Sequence, residues 1–341
     1  MKTIGVLFHF ILFTSSVYSA NTFVGIKNNL NLLKHNTVDS IAHVNDLFII
    51  PLSKESLVCK MEENQVKVLS KLPITNASKA IIVNDEYVCS IDSMVSIFDL
   101  NGKCLHTFTG DFTPISLNAK NRVIYLGGKY SVEAKKPGEI FAIIDLEKSW
   151  PKLTSIILPI KIRPFKSIDD VLILGNKLIL VDNVIYPKYL FEYDITDSNK
   201  PVHLSTKKLE NHMPNEHILK GDVNQDWLIL FSQGTFRSGT SKYIAIEGKS
   251  SGKLYVHLPS YFSKEWDTQQ KPKYNYHDIC LIDSNLFILT WDLLYRLDLN
   301  GPISEEQLVE IKTSILEIEM VLKTPTNRLI AVSENEYELI H

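Results

Sequence analysis

Two histidines and two aspartates have the side chains for metal-binding or acid–base chemistry in this chain: Asp170, His217, His277 and Asp278. Each lies at the start of a short apolar segment, and His217 and His277 are the candidate metal ligands. Imidazole and carboxylate groups are common zinc ligands and common general acids and bases. The four residues are far apart in sequence, so they form one site only if the fold brings these segment starts together. The alternative interpretation is that they are solvated strand ends.

A segment rich in aromatic residues, 260–278, provides a second candidate site. Its rings stand among charged and amide side chains: Tyr261, Phe262, Trp266, Tyr274 and Tyr276. Tyr and Trp supply a large contact area at a low cost in conformational entropy, which suits a surface that binds a protein or a glycan. The same rings are also suited to packing against the protein's own strands.

Both candidate sites are embedded in a repeated unit, in which a polar turn of Asn, Asp, Gly or Ser runs into a short apolar strand. The first strand residue of each copy lies 36 to 59 residues after the previous one: Leu47, Tyr87, Val123, Leu178, Trp227, Leu286 and Leu329. Recurrence at this period predicts a repeat architecture, and short hairpin-linked strands predict the blades of a β-propeller.

Each unit predicts four antiparallel strands, A to D, so we predict an all-β, seven-bladed β-propeller, with six or eight blades as alternatives. Only residues 333–341 follow the seventh copy, which is enough chain for strand C but not for strand D. A strand-like stretch at residues 22–34 can fill that place. We therefore predict that the ring closes by pairing of this N-terminal strand with the C-terminal blade, which removes two unpaired sheet edges.

The predicted connections between strands differ between the two faces of the ring. The A–B turns are short in all seven units, whereas five insertions fall on the opposite face, within units three to six: residues 127–138, 182–188, 209–221, 232–241 and 260–277. Long loops on one side of a rigid framework are where recognition usually occurs. This face is therefore the expected binding surface.

The N-terminus has the composition of a secretory signal. Lys2 precedes an apolar stretch over residues 3–14, and small residues near Ala20 provide a cleavage site. The stretch is shorter than the roughly 18 to 20 apolar residues that span a bilayer. We predict a signal peptide at 1–20, a single domain at 21–341 and a secreted or periplasmic location, with an uncleaved anchor as the alternative.

The charge of the chain narrows the range of expected partners, and its cysteine content bears on disulfide bonding. The chain has 36 basic and 39 acidic residues and a net charge of −3, with both signs interspersed, so neither nucleic acid nor a membrane surface is expected as a partner. Its four cysteines, at positions 59, 89, 104 and 280, have neither CxxC nor metal-ligand spacing, so they do not predict a disulfide scaffold.

Three short segments resemble repeats of known propellers. LFEYDITDSNKPVHL, at residues 190–204, resembles the LVIVD-type repeat of secreted propellers, whereas FDLNGK (98–103) and LDLNGP (297–302) resemble blade turns of quinoprotein-like and WD-type propellers. Trp291 and Asp292 form a WD dipeptide without the Gly-His pair of a WD40 blade. The resemblance implies the fold and transfers no catalytic residue, because propellers carry many unrelated activities.

These observations predict a binding module for a protein or glycan that acts through the long loops and the aromatic segment. The alternative is a metal-assisted hydrolase or lyase at the central funnel, with Asp170, His217, His277 and Asp278 as its site. No pattern in the sequence predicts a particular cofactor.

Overall fold

The structure is a computed structural model, and the part of the chain that it describes comprises twelve stretches. These are residues 47–74, 79–109, 112–130, 139–149, 151–157, 167–182, 188–209, 216–236, 239–248, 255–262, 276–291 and 293–340. The predicted signal peptide and the predicted closing strand at 22–34 lie outside these stretches. The long connections of the predicted binding face also lie largely outside them.

The described strands form seven antiparallel sheets, which we call blades 1 to 7 in chain order. Blades 2 to 6 have four strands, A to D. Three strands are described in blade 1 (B, C and D) and three in blade 7 (A, B and C). In blades 1 to 3 the strands are β1 (Leu47–Pro51), β2 (Ser56–Glu62) and β3 (Gln65–Leu72); β4 (Lys79–Val83), β5 (Tyr87–Ile91), β6 (Val95–Asp99) and β7 (Cys104–Phe108); and β8 (Phe112–Lys120), β9 (Val123–Tyr130), β10 (Glu139–Asp145) and β11 (Leu153–Ile157).

Blades 4 to 7 continue the same order. Their strands are β12 (Ile168–Leu174), β13 (Lys177–Asp182), β14 (Lys188–Asp194) and β15 (Val202–Leu209); β16 (Glu216–Val223), β17 (Trp227–Phe236), β18 (Gly239–Gly248) and β19 (Tyr255–Phe262); β20 (Tyr276–Ile282), β21 (Asn285–Thr290), β22 (Leu294–Asp298) and β23 (Val309–Ile311); and β24 (Met320–Lys323), β25 (Leu329–Val332) and β26 (Tyr337–Ile340). A 3-10 turn, Glu305–Gln307, precedes β23. The seven B strands begin at, or one residue before, the positions that the repeat predicts.

Burial falls from the first strand of a blade to the last, as expected for strands that radiate from an axis. Every residue of β20 is buried, whereas most of β15, the last strand of blade 4, is exposed. The A strands therefore line the centre of the ring and the D strands form its rim.

The repeated polar turns have a backbone requirement that explains their composition. Asn84, Asp85, Asn121, Asp283 and Asn327 all have φ between 52° and 56°, and each lies in the turn between strands A and B of its blade. Asn, Asp and Gly tolerate this left-handed conformation best, and it provides the twist of a tight hairpin. The turn residues thus direct each A strand back into its B strand.

Each pair of neighbouring blades shares a hydrophobic core, and this includes the pair that closes the ring. Seven clusters are described, one for every interface between consecutive blades. Phe48 and Ile50 of blade 1 pack with Leu322 and Ile330 of blade 7. The Ser53 N–H donates to the Glu334 carbonyl oxygen of blade 7 at 3.0 Å. Blades 1 and 7 therefore meet directly, while the predicted pairing of the N-terminal strand remains a prediction.

Some predicted insertions are shorter loops than expected because strands extend into them. Residues 232–241 were predicted as a loop, but β17 continues to Phe236 and β18 begins at Gly239, so this insertion is mostly a longer hairpin. In the described part of the chain no helix is long and apolar enough to cross a membrane. All four cysteines are free thiols, and only Cys104 is exposed.

Candidate functional site

The inner strands carry aspartates whose carboxylates hold neighbouring blades together. Asp170 of β12 accepts hydrogen bonds from the N–H of Val171 (2.9 Å) and from the N–H of Gly221 in blade 5 (2.7 Å). Asp278 of β20 repeats this pattern with the N–H of Ile279 (2.8 Å) and of Val321 in blade 7 (2.9 Å). Each carboxylate therefore joins its own strand to the next A strand around the axis.

Two lysines form ion pairs with these carboxylates. The Lys79 Nζ lies 3.0 Å from Asp170 Oδ1, and the Lys220 Nζ lies 2.9 Å from Asp278 Oδ1. All four side chains are at least 95% buried. Lys79 is in blade 2 and Asp170 in blade 4, so this ion pair passes the inner strand of blade 3 at the centre of the ring. Opposite charges at the axis are thus paired with one another.

The Lys220–Asp278 pair has shifted pKa values. Burial lowers the pKa of Lys220, but the charge and hydrogen bond of Asp278, together with Cys280 and Asp222, outweigh burial and the net direction is upward. Burial raises the pKa of Asp278, and Lys220 and the backbone N–H groups oppose this shift. The lysine therefore stays protonated and donates to the carboxylate. An Asp that is ion-paired and doubly hydrogen-bonded is not a free base for catalysis.

The predicted catalytic set is consequently divided by the fold. Asp170 and Asp278 are occupied by Lys79 and Lys220. His217 is the second residue of β16, and its side chain lies outside what the structure describes. Among the described residues, no three His, Cys, Asp or Glu side chains come together in a way that could hold a metal ion. The geometry does not favour the metal-assisted hydrolase or lyase.

His277 differs from the two aspartates in having no such partner. It is the extra residue at a β-bulge, because Tyr276 pairs with Thr290 and Asp278 with Leu289. Its ring is 7% exposed, and its Nδ1 has no hydrogen-bond partner. Burial and the charge of Lys242 lower its pKa to about 4, so the imidazole is neutral at pH 7. The bulge turns this ring away from the axis, towards Trp291, at 5.2 Å between ring centroids.

The aromatic segment is only partly described. Tyr276 is fully buried in the core between blades 5 and 6, and its hydroxyl donates to Glu305 Oε1 at 3.3 Å. It therefore packs within the protein rather than standing on an open surface. Tyr261 and Phe262 end strand β19, and only their backbone is described. Trp266 and Tyr274 lie outside the described residues.

The sequence patterns did not single out the lysines of the inner strands. Lys79 begins the apolar strand β4 and Lys220 interrupts β16, and a charged residue that is buried at such a position must find a partner. Asp222, Asn224 and Asp226 stand at alternate positions, as the first ligands of a calcium loop do. However, Asp222 is buried in β16 and accepts from the Leu281 N–H at 2.6 Å. A GxSxG spacing occurs at residues 248–252. Strand β18 before it leads to strand β19, whereas a nucleophile elbow leads into a helix.

Comparison with solved structures finds the same architecture in proteins of dissimilar sequence. The WD40 β-propeller domain of Doa1 aligns with 88% of this chain and 90% of its own, with a TM-score of 0.53 and 11% identity. The extracellular domain of BT4673 of B. thetaiotaomicron, described as a hybrid two-component system, aligns with 89% of this chain and 39% of its own (TM-score 0.51, 12% identity). This chain has the seven-bladed β-propeller fold. No protein-family model and no curated protein matches the sequence.

A β-propeller of this kind is a rigid ring that displays loops at both ends, which is a general framework for protein binding. We call the end with the A–B and C–D turns the turn face, and the end with the B–C and D–A connections the loop face. The A–B turns that the structure describes on the turn face, those of blades 2 to 7, are two to five residues long. On the loop face, β9 and β10 are separated by residues 131–138, and β19 and β20 by residues 263–275. His277 and Trp291 also lie on the loop face.

Proposed function

We propose that this protein is a secreted or periplasmic binding module that holds a protein or glycan partner on the loop face of blades 3 to 6. The observation that carries the proposal is the length of the connection between β19 and β20 on the loop face. It comprises residues 263–275, whereas the longest connection between described strands on the turn face comprises residues 299–308. Loop length beyond what joining two strands requires suits recognition.

Two further features support a role in binding. The aspartates at the axis are engaged with lysines and backbone N–H groups, so they maintain the ring rather than act on a substrate. The long connection between β19 and β20 contains Trp266 and Tyr274 among polar residues. Rings of this kind dominate the energetics of many protein interfaces. The near-neutral, mixed-sign charge of the chain supports a protein or glycan over nucleic acid.

The proposed location rests on the N-terminal twenty residues, which have the composition of a cleaved secretory signal. Expression of the full chain in its native host, followed by intact-mass analysis, tests this part. We expect a mature protein that begins at Ala20 or Asn21 outside the cytoplasm. A full-length protein retained in the cytoplasm would contradict it.

Capture from the extracellular fraction tests the binding face. The mature protein is immobilised, the retained partner is identified and purified, and binding is remeasured with variants. We expect Trp266→Ala to weaken binding at least about tenfold, because a central aromatic contact typically contributes 2 kcal/mol or more, while the melting temperature is almost unchanged. Lys177→Ala, on the exposed turn face, is the control and should bind normally. Equal binding by the Trp266 variant, together with loss in the Lys177 variant, would place the interface on the other face.

A further inference from the structure

A lysine, a histidine and a tryptophan come together on the loop face where blades 5 and 6 meet. Lys242 is in strand β18 of blade 5, His277 is the bulged residue of β20, and Trp291 follows β21. The Lys242 Nζ donates to the Tyr276 carbonyl oxygen at 3.1 Å, next to His277 in the chain. We call Lys242, His277 and Trp291 the seam site.

Lys242 is a desolvated cation whose only described hydrogen bond goes to a neutral carbonyl. Burial lowers its pKa to about 8, and no carboxylate among the described residues raises it. This contrasts with Lys79 and Lys220, which are both paired with aspartates. A partly buried cation that has no counter-ion among the described residues carries an unrecovered desolvation cost, and a negatively charged ligand offsets that cost.

Trp291 provides an apolar surface beside this cation. Its side chain is 52% exposed at the tip of a hairpin. The hairpin is fixed by the Thr290 N–H, which donates to the Leu293 carbonyl at 2.9 Å, and by the Leu293 N–H, which donates to Thr290 Oγ1 at 3.1 Å. The His277 ring supports one side of the indole. Trp291 is therefore a projecting ring on a rigid turn, and projecting rings of this kind anchor protein interfaces.

We propose that the seam site binds a carboxylate side chain from an acidic segment of a protein partner, with Trp291 packing against the same segment. The proposal rests on the proposed function, because it assigns partner chemistry to the loop face. One lysine beside a neutral imidazole matches a single negative charge, whereas a phosphate dianion is normally met by several donors or an arginine fork. Small ligands prefer concave sites. A ring that projects from a hairpin instead suits a partner with an extended surface.

Isothermal titration with short peptides tests the inference on the mature protein at low ionic strength. The probes are acetylated tetraglutamate and, as the uncharged match, acetylated tetraglutamine. We expect tetraglutamate to bind about tenfold more tightly or better, since a hydrogen bond between charged groups contributes roughly 1.5 to 3 kcal/mol. Lys242→Gln should abolish this difference, and Trp291→Ala should weaken both peptides. Lys177→Gln on the turn face removes the same charge and should change neither.

The possible results separate the alternatives. Equal affinity for the two peptides, or an equal loss in the Lys242 and Lys177 variants, overturns the seam site, since the attraction then follows net charge. D-glucuronate and D-glucose form a second pair of probes. If glucuronate binds more tightly than tetraglutamate in a Lys242-dependent manner, the ligand is an acidic glycan and the protein assignment is wrong. If the two peptides bind equally while Trp266→Ala still weakens binding of the captured partner, the loop face remains the binding surface, and the seam site is not part of it.

Discussion

His277 makes the stability of the protein depend on pH. Burial, with a contribution from the charge of Lys242, lowers its pKa from about 6.5 to about 4 in the folded protein. The unfolded chain therefore takes up a proton between these pH values that the folded protein does not. The contribution of His277 to the free energy of unfolding is therefore fully present above about pH 6.5 and is lost as the pH falls towards 4. The Nδ1 atom has no hydrogen-bond partner among the described residues.

We predict that His277→Gln reduces the acid sensitivity of the fold. Lowering the pH from 7 to 4.5 should cost the wild type about 2.5 kcal/mol more than the variant, the free energy that corresponds to this pKa shift. Urea unfolding at a series of pH values measures the difference. His203→Gln, at an exposed position of β15, is the matched control. Parallel profiles for wild type and His277→Gln would contradict the assignment.

At the scale of elements, the A strands are joined by a chain of carboxylate–backbone contacts. Asp278 connects β20 to β24 and is itself held by Lys220 from β16. Gly221 follows Lys220, and a Cβ atom there would lie 3.3 Å from Asp170 Oδ2 and 3.0 Å from Leu172. The absence of a side chain at Gly221 allows its N–H to approach Asp170 closely. The spacing of the blades at the axis is therefore set by contacts between A strands of different blades, and not by hydrogen bonds within one sheet.

Removing the Lys220 ammonium should be far more damaging than removing an exposed one. We predict that Lys220→Met destabilises the protein by about 3 kcal/mol or more, because it leaves the buried Asp278 charge unpaired. Lys220→Met combined with Asp278→Asn should recover part of this loss, since the neutral amide can still accept from one backbone N–H. Equilibrium unfolding in urea gives the free energies.

Lys67→Met is the surface control for this series. Lys67 forms an ion pair with Glu62 at 2.8 Å, with both side chains about half exposed. Its loss should cost less than about 1 kcal/mol. If Lys220→Met costs no more than Lys67→Met, the axial pair does not stabilise the inner strands in the way we describe.

For the whole molecule, closure of the ring determines how cooperatively it unfolds. Blades 1 and 7 share a core that includes Phe48, Leu322 and Ile330, although their residues are distant in sequence. A ring in which every blade packs on two neighbours has no free end from which to unfold. An N-terminal strand paired into blade 7 would strengthen this closure, because it would join the two ends of the chain.

Deletion of residues 21–34 tests that pairing. We predict a fall in melting temperature of at least about 10 °C, since loss of a strand exposes a sheet edge and part of the core between blades 7 and 1. An unstructured extension of similar length placed before residue 21 is the control and should not shift the transition. An unchanged melting temperature in the deletion would show that residues 21–34 are not the closing strand.

Features that depend on neighbouring residues were predictable from the sequence. The polar turns at Asn84, Asn121 and Asp283 require left-handed backbone, and units of such a turn and an apolar strand recur every 36 to 59 residues. Turn chemistry and strand propensity act over a few residues, so the repeat, the number of blades and the positions of the B strands follow from the chain alone. The acidic residues that end several C strands are also local. Asp298, for example, accepts from the N–H of Asn300 at 3.0 Å and so shapes its own turn.

Only the tertiary structure decided what the inner charged residues do. Lys79 and Asp170 are 91 residues apart, and Lys220 and Asp278 are 58 apart, so no local spacing reveals that they pair. Asp278 and His277 are adjacent in sequence, yet one is bound at the axis and the other turns towards Trp291 at the bulge. The sequence alone determined which residues could form blades. The radial arrangement of those blades determined which charges meet at the axis, because desolvation there leaves a carboxylate stable only beside a cation or backbone N–H groups.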